Sequence, residues 1–276
     1  MQSQAHLVVL GSVFLLTITS SLTYPQLEFI RQISQDQANV VFAIVRNVTS
    51  SPDLTELAAT KSNVYIVLGD LNSLSTLQEA AKTVASITGG SLDILINNGA
   101  FLDGSTPMLM PSQLSDPEHL EHFKDMFEKS VESNVLGAVH VTNSFLPLIE
   151  QGKEKKIVHT TSGHGDTDVI LATGFGGFIP YSASKAMMNT VVAKYGAELQ
   201  PKNIHIVAMN PGWADTNPMP QETVKWLISL FRKVDPKVKG PIKAEESVRD
   251  QLQTISRLGW DVQGRVIGHR GDRAWF

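Results

Sequence analysis

The sequence predicts an α/β fold, a doubly wound parallel sheet with helices on both faces, in a single domain over residues 1–276. Three observations lead there. Short apolar, β-branched runs recur along the chain; segments with a three- and four-residue apolar period lie between them; and small or polar residues follow the runs. Runs that are apolar throughout suit strands covered on both faces, and strands alternating with helices over short connections imply right-handed crossovers. A chain of 276 residues, 42% hydrophobic, can bury one large core, and no repeat or linker argues for a second domain.

The first run, Leu7 to Ile18, is too short to span a bilayer, which takes about 20 residues. It reads as a buried first strand, with the apolar core of a secretory signal peptide as the alternative. MQSQAH before it has no Lys or Arg, and Thr19-Ser20-Ser21 matches a cleavage site poorly, which favours the strand and a cytoplasmic protein. The sequon Asn47-Val48-Thr49 matters only for a secreted chain. Thr23-Tyr24-Pro25-Gln26 reads as a helix start, with a capping T-x-x-Q and a proline in the first turn. Further strands are expected at Asn39 to Val45, Val64 to Leu68, Leu92 to Ile96, Lys156 to Thr160 and Ile204 to Met209. Leu74, Leu77, Ala81, Val84 and Ile87 form one apolar helical stripe. Phe123, Met126, Phe127, Ser130, Asn134, Ala138 and Val141 form another, with polar Asn134 inside it.

In such sheets ligands bind beyond the carboxyl ends of the strands. The residues there are Arg46, Gly69-Asp70-Leu71, Asn97-Asn98-Gly99-Ala100, Thr161-Ser162-Gly163 and Asn210-Pro211-Gly212. A net charge of −4 without basic blocks points away from nucleic acid and acidic membranes and toward a small molecule. Absent cysteine removes thiol chemistry, and the eight histidines lack ligand spacing, so no metal is expected.

Tyr181 and Lys185, four residues apart at a helix start, share one face. A fixed cation beside a phenol is expected to lower its pKa from about 10, so that Tyr181 can exchange a proton with a carbonyl or alcohol. Ser162 could hydrogen-bond the substrate oxygen, although Thr160 and Thr161 offer neighbouring hydroxyls. A buried Asn134 amide needs partners, and a backbone hydrogen bond would supply them.

Asn97-Asn98-Gly99-Ala100, Asn134, Ser162, Tyr181-x-x-x-Lys185 and Pro211-Gly212-Trp213-x-x-Thr216 stand in the order and approximate spacing of the short-chain dehydrogenase/reductase family. From about residue 27 onward the chain resembles its small carbonyl and ketoreductases, including those of fungal natural-product pathways. The resemblance implies a Rossmann-like fold and an oxidoreductase acting on a small-molecule ketone, aldehyde or matching alcohol. It implies that Tyr181 is the general acid or base, Lys185 holds the nicotinamide ribose, Ser162 orients the carbonyl and Asn134 holds a relay water. For the cofactor it implies Asn97 and Gly99 at the adenosine ribose, Asp70 and Leu71 at the adenine, and Pro211, Gly212 and Thr216 at the nicotinamide. It also implies a homodimer or homotetramer through the helices holding Asn134 and Tyr181. An Arg after the second strand accommodates the 2′-phosphate of NADP where an acid would bind NAD, so Arg46 favours NADP over NAD.

Two departures stand out. The stretch between Ser162 and Tyr181 is long and Gly-rich, and is expected to line the substrate pocket or shift the serine. In the atypical residues 1–26, Thr19 matches the family's leading threonine, but Ser20, Tyr24 and Gln26 fall where its phosphate-binding turn has glycines. An alternative is therefore a binding or scaffold protein that lost this turn; a third reading traces the missing glycines to a misplaced exon boundary. Residues 218–243, with Pro218, Met219, Trp226, Leu227, Leu230 and Phe231, are expected to form an apolar substrate lid or a helix packed on the core.

Overall fold

Seven parallel strands join in one sheet of order β3-β2-β1-β4-β5-β6-β7, in a computed structural model that describes residues 12–17, 24–102, 109–216, 219–273 and 275–276. The strands are β1 (Val13–Thr17), β2 (Val40–Val45), β3 (Val64–Leu68), β4 (Ile94–Asn97), β5 (Lys156–Thr160), β6 (His205–Asn210) and β7 (Val266–Gly268). The first apolar run thus supplies the strand between β2 and β4, where the strand order reverses. Strand β7, three residues long, had no sequence expectation.

Alternate strand residues feed two cores. Leu15, Phe42, Ile44, Leu95, Ile157 and Ile206 point to one face, where α3 (Leu74–Thr88), α5 (Gly137–Gln151) and α7 (Ile179–Leu199) pack. Leu16, Val41, Ala43, Ile96, Val158 and Val207 point to the other, covered by α1 (Tyr24–Ile33), α2 (Pro52–Thr60) and α9 (Ala244–Ser256). This two-sided burial is why the strands read as apolar runs rather than alternating ones. Three more helices, α4 (Pro117–Val131), α6 (Thr167–Thr173) and α8 (Gln221–Phe231), lie toward the carboxyl edge of the sheet or flank its helices. Among the described residues no helix is long and apolar enough to cross a membrane.

One polar chain runs through the middle of this apolar structure. Gly99 N–H donates to Thr17 Oγ1 (3.3 Å), and the Thr17 hydroxyl donates to Asn97 Oδ1. Asn97 Nδ2 lies 3.0 Å from His159 Nδ1, His159 Nε2 lies 3.1 Å from Thr142 Oγ1, and Thr142 donates to the Ala138 carbonyl (2.8 Å). The Thr142 proton is committed to Ala138, so Nε2 must carry the imidazole proton and Nδ1 must accept. Every link then has one donor and one acceptor, provided His159 is neutral. Burial, helped by the Lys185 charge, holds its pKa down at about 3.

Above pH 6.5 neutral His159 costs nothing relative to the unfolded chain; as the pH falls from 6.5 toward about 3, only the unfolded chain takes up the proton and stability is lost. Urea titrations should show His159 contributing about 2 kcal/mol of lost stability between pH 7 and pH 5, and His159→Asn should remove that share.

Candidate active site

Strand β5 and helix α7 bring the central groups together. Pro180 sits in the first turn of α7, which sets Tyr181 and Lys185 one turn apart just beyond the end of β5. Lys185 is buried, and its ammonium donates to the Thr160 carbonyl at the end of β5 (2.7 Å) while lying 5.7 Å over the Tyr181 ring. Ser162 stands beside the Tyr181 hydroxyl, where a hydrogen bond from it favours the phenolate, and its Oγ accepts from His164 N–H (3.2 Å). Of the three adjacent hydroxyls, Thr161 donates to Asn189 (2.6 Å), buried Thr160 Oγ1 has no hydrogen-bond partner among the described residues, and Ser162 is the one beside the Tyr181 hydroxyl.

The proton affinities differ from the expectation that Lys185 lowers the Tyr181 pKa. Burial raises it, outweighing the Ser162 hydrogen bond. The ammonium is held at Thr160, over the ring face. Burial also lowers Lys185 to about 8, because a backbone carbonyl only partly replaces the water its charge has lost.

Asn134 lies in a π turn, Glu132–Leu136, between α4 and α5, where Gly137 N–H bonds to Glu132 C=O. Its amide oxygen accepts from Phe101 N–H (2.6 Å), and its amide nitrogen donates to Phe101 C=O (3.0 Å) and Ser184 Oγ (2.9 Å). Ser184 in turn donates to the Tyr181 carbonyl (2.7 Å). The side chain is therefore taken up in tying the loop after β4 to the start of α7.

Along the carboxyl edge, Arg46 is exposed after β2, and its guanidinium has no ion pair among the described residues. Asp70 turns its carboxylate onto Asn72 N–H (3.0 Å). Leu71 is buried, wedged against Gly99 and Gly137; a Cβ on Gly99 would stand 2.5 Å from Leu71 Cδ1. Asn97 is buried in the polar chain and so faces inward. Gly212 has φ 78° and a Cβ there would meet the His269 ring at 2.8 Å; Pro211 C=O accepts from Ser247, and Thr216 is exposed. Gln26, at one missing-glycine position, is buried on α1 and donates to Asn98 C=O (3.1 Å), which turns its amide toward the end of β4. Thr19, Ser20 and Thr23 lie outside the described residues.

The long stretch after Ser162 forms a short 3-10 turn, Gly163–Gly165, and α6, and it lines a cavity of about 100 Å³ beside Ser162 and Gly212. Its His164, the C-terminal Trp275 and Phe276, and Phe175 are wall residues that the sequence reading did not single out. Phe231, from the expected lid, also reaches this wall from α8.

The sequence profile described as short chain dehydrogenase matches residues 27–227. The chain belongs to the short-chain dehydrogenase/reductase family. This dehydrogenase/reductase is thus an oxidoreductase of an NAD(P)-dependent family. It is 35% identical over 255 residues to the short-chain dehydrogenase/reductase atnB of Arthrinium sp, covering 90% of this chain and 94% of that one. It is 34% identical to AacuF of Aspergillus aculeatus over the same shares. Its fold is similar to an NADPH-bound carbonyl reductase from chicken fatty liver, with a TM-score of 0.75 and 20% identity, over 95% of this chain and 98% of that one.

Replacing the buried Lys185 ammonium by an apolar side chain should stabilise the protein without cofactor. Lys185→Met is expected to gain about 1–3 kcal/mol in denaturant titrations at pH 7. Wild-type stability rises as the pH climbs from about 8 to 10.5, because folded Lys185 sheds its proton first, so the gap should close over that window.

Proposed function

We propose that this chain is an NADP(H)-dependent reductase of a small-molecule ketone or aldehyde, or in the reverse direction a dehydrogenase of the matching alcohol with NADP as the hydride acceptor, working in natural-product biosynthesis. The observation that carries the reading is the buried Lys185 ammonium held over the Tyr181 ring, with Ser162 beside the phenol. Tyr181 keeps its proton in this environment, which suits a group that must hand one to a carbonyl oxygen as charge develops there. The Ser162 hydroxyl would hold that oxygen, and Lys185 would stabilise the phenolate left behind. Asn134 would act through the Phe101 loop and Ser184, fixing where Tyr181 stands.

The residues at the sheet edge fit a dinucleotide. Gly99 and Gly212 are held to glycine by packing, since a Cβ would meet Leu71 and His269, and they put no side chain at this edge; Arg46, without an ion pair among the described residues, suits a 2′-phosphate. We assign Thr19, Arg46, Asp70, Leu71, Asn97, Gly99, Tyr181, Lys185, Pro211, Gly212 and Thr216 to the cofactor side. Leu71 and Asn97 serve there chiefly by shaping the edge. NADPH, when bound, supplies the hydride. Exposed Leu136 and Met187, on the turn holding Asn134 and on α7, support assembly into a homodimer or homotetramer.

NADPH oxidation measured with a panel of ketones and aldehydes should be saturable, and Tyr181→Phe should lower its rate at least about 100-fold while NADPH still binds. Retention of the rate in Tyr181→Phe would refute the role. Arg46→Ala should raise the KM for NADPH about tenfold and leave that for NADH little changed.

A further inference from the structure

The cavity beside Ser162 has an unusual wall. Rings of His164, Phe175, Trp213, Phe231, Trp275 and Phe276 all line it. They are mutually ordered: His164 meets Phe175 edge-on at 5.1 Å, Trp213 meets Phe231 edge-on at 4.9 Å, and Phe231 stacks on Phe276 at 4.1 Å and 15°. The C-terminal residues are pinned in place, since Asn210 Nδ2 donates to Trp275 C=O (2.8 Å) and Arg273 pairs with Asp166 (3.3 Å). Surfaces of this kind reward a flat π-system that can stack or present an edge.

The volume sets a second condition. An apolar cavity of about 150 Å³ holds one benzene ring, so a space of about 100 Å³ bordered by Ser162 is on the scale of a single six-membered ring. The polar lining sets a third. Asn210 gives one of its two amide N–H groups to Trp275 C=O, Thr173 gives its hydroxyl to Val169 C=O, and Ser162 Oγ accepts from His164 N–H (3.2 Å). The His164 ring nitrogens have no hydrogen-bond partner among the described residues, and apolar surroundings keep the ring neutral, with a pKa of about 4. A neutral imidazole offers one donor and one acceptor, the complement of a hydroxyl.

We infer that the substrate is an aryl ketone or aldehyde whose single ring enters this cavity with its carbonyl at Ser162, and that His164 selects a hydroxyl on that ring. This rests on the reductase reading above. The rings of His164, Phe175, Phe231 and Phe276 belong to the stretch before α7, to α8 and to the C-terminal residues, while Asn210, Gly212 and Trp213 bring the turn after β6, on the cofactor side, to the same cavity.

The test compares 3- and 4-hydroxyacetophenone, acetophenone and cyclohexyl methyl ketone, which share a methyl ketone and differ in ring and hydroxyl. Binding to the NADPH-loaded protein is read by calorimetry, and turnover by NADPH oxidation. A hydroxylated ring should bind about threefold to tenfold better than acetophenone, and acetophenone better than the saturated ring by a similar factor. His164→Phe should erase the hydroxyl preference, and His164→Gln, which keeps a donor and an acceptor, should retain it. Phe276→Ala should weaken the aryl ketones more than the cyclohexyl ketone. Equal binding of aromatic and saturated rings would overturn the inference, as would a Phe276→Ala loss that falls equally on NADPH affinity. Aryl binding without turnover would leave it standing and refute the reductase reading instead.

Discussion

The carboxyl edge of the sheet depends on a line of hydrogen bonds that works in one protonation state. From Gly99 through Thr17, Asn97, His159 and Thr142 to Ala138, it crosses β1, β4 and β5 and ends on α5. Buried polar groups of this kind stabilise when each is satisfied and are costly when one is not. A protonated His159 would point a second donor at the Asn97 amide nitrogen, and Asn97 could meet it only by turning its amide and giving up the Thr17 hydroxyl. The strand ends that this line aligns are those that lead into Gly99 and into Thr160–Ser162. Neutral His159 is therefore a condition of the edge as well as of the core.

Lys185 ties this line to the proton chemistry. Its ammonium, held by Thr160 C=O, is one of the two influences that keep His159 neutral, and burial weakens its own hold on its proton. Tyr181 stands beside it under the opposite pressure, since burial that discourages an ammonium also discourages a phenolate. The site thus places a reluctant cation behind a reluctant acid. Such an arrangement costs stability and leaves Tyr181 holding a proton that only a developing negative charge nearby would draw away.

Much of this was legible in the sequence, for identifiable reasons. Parallel strands covered on both faces must be apolar throughout, so β1 to β6 announce themselves as runs, whereas the three residues of β7 are too few for any pattern. Tyr181 and Lys185 share a helix, and a four-residue spacing is a local fact. Asn134 was visible as a polar interruption of an apolar stripe, but its partners Phe101 and Ser184 are distant in sequence, and the π turn leaves no periodic mark. The direction of the Tyr181 pKa differs from the expectation because burial raises it, and burial is set by the folded site, which a four-residue spacing does not encode. The aromatic cavity was missed for a similar reason: His164, Phe231 and Phe276 meet only after α8 and the C-terminal residues fold over the sheet edge. His164, two residues beyond Ser162 on the strand-to-helix stretch, was the one wall residue whose position offered a hint.

The proposed function requires this edge to hold a dinucleotide although Ser20, Tyr24 and Gln26 stand where the family has glycines, and Gln26 turns its amide onto Asn98. Calorimetric titration of the purified chain with NADPH addresses that claim directly. The account predicts saturable one-to-one binding, tighter than that of NADH. An absence of binding at millimolar NADPH would contradict it and leave a reductase framework that serves by binding alone.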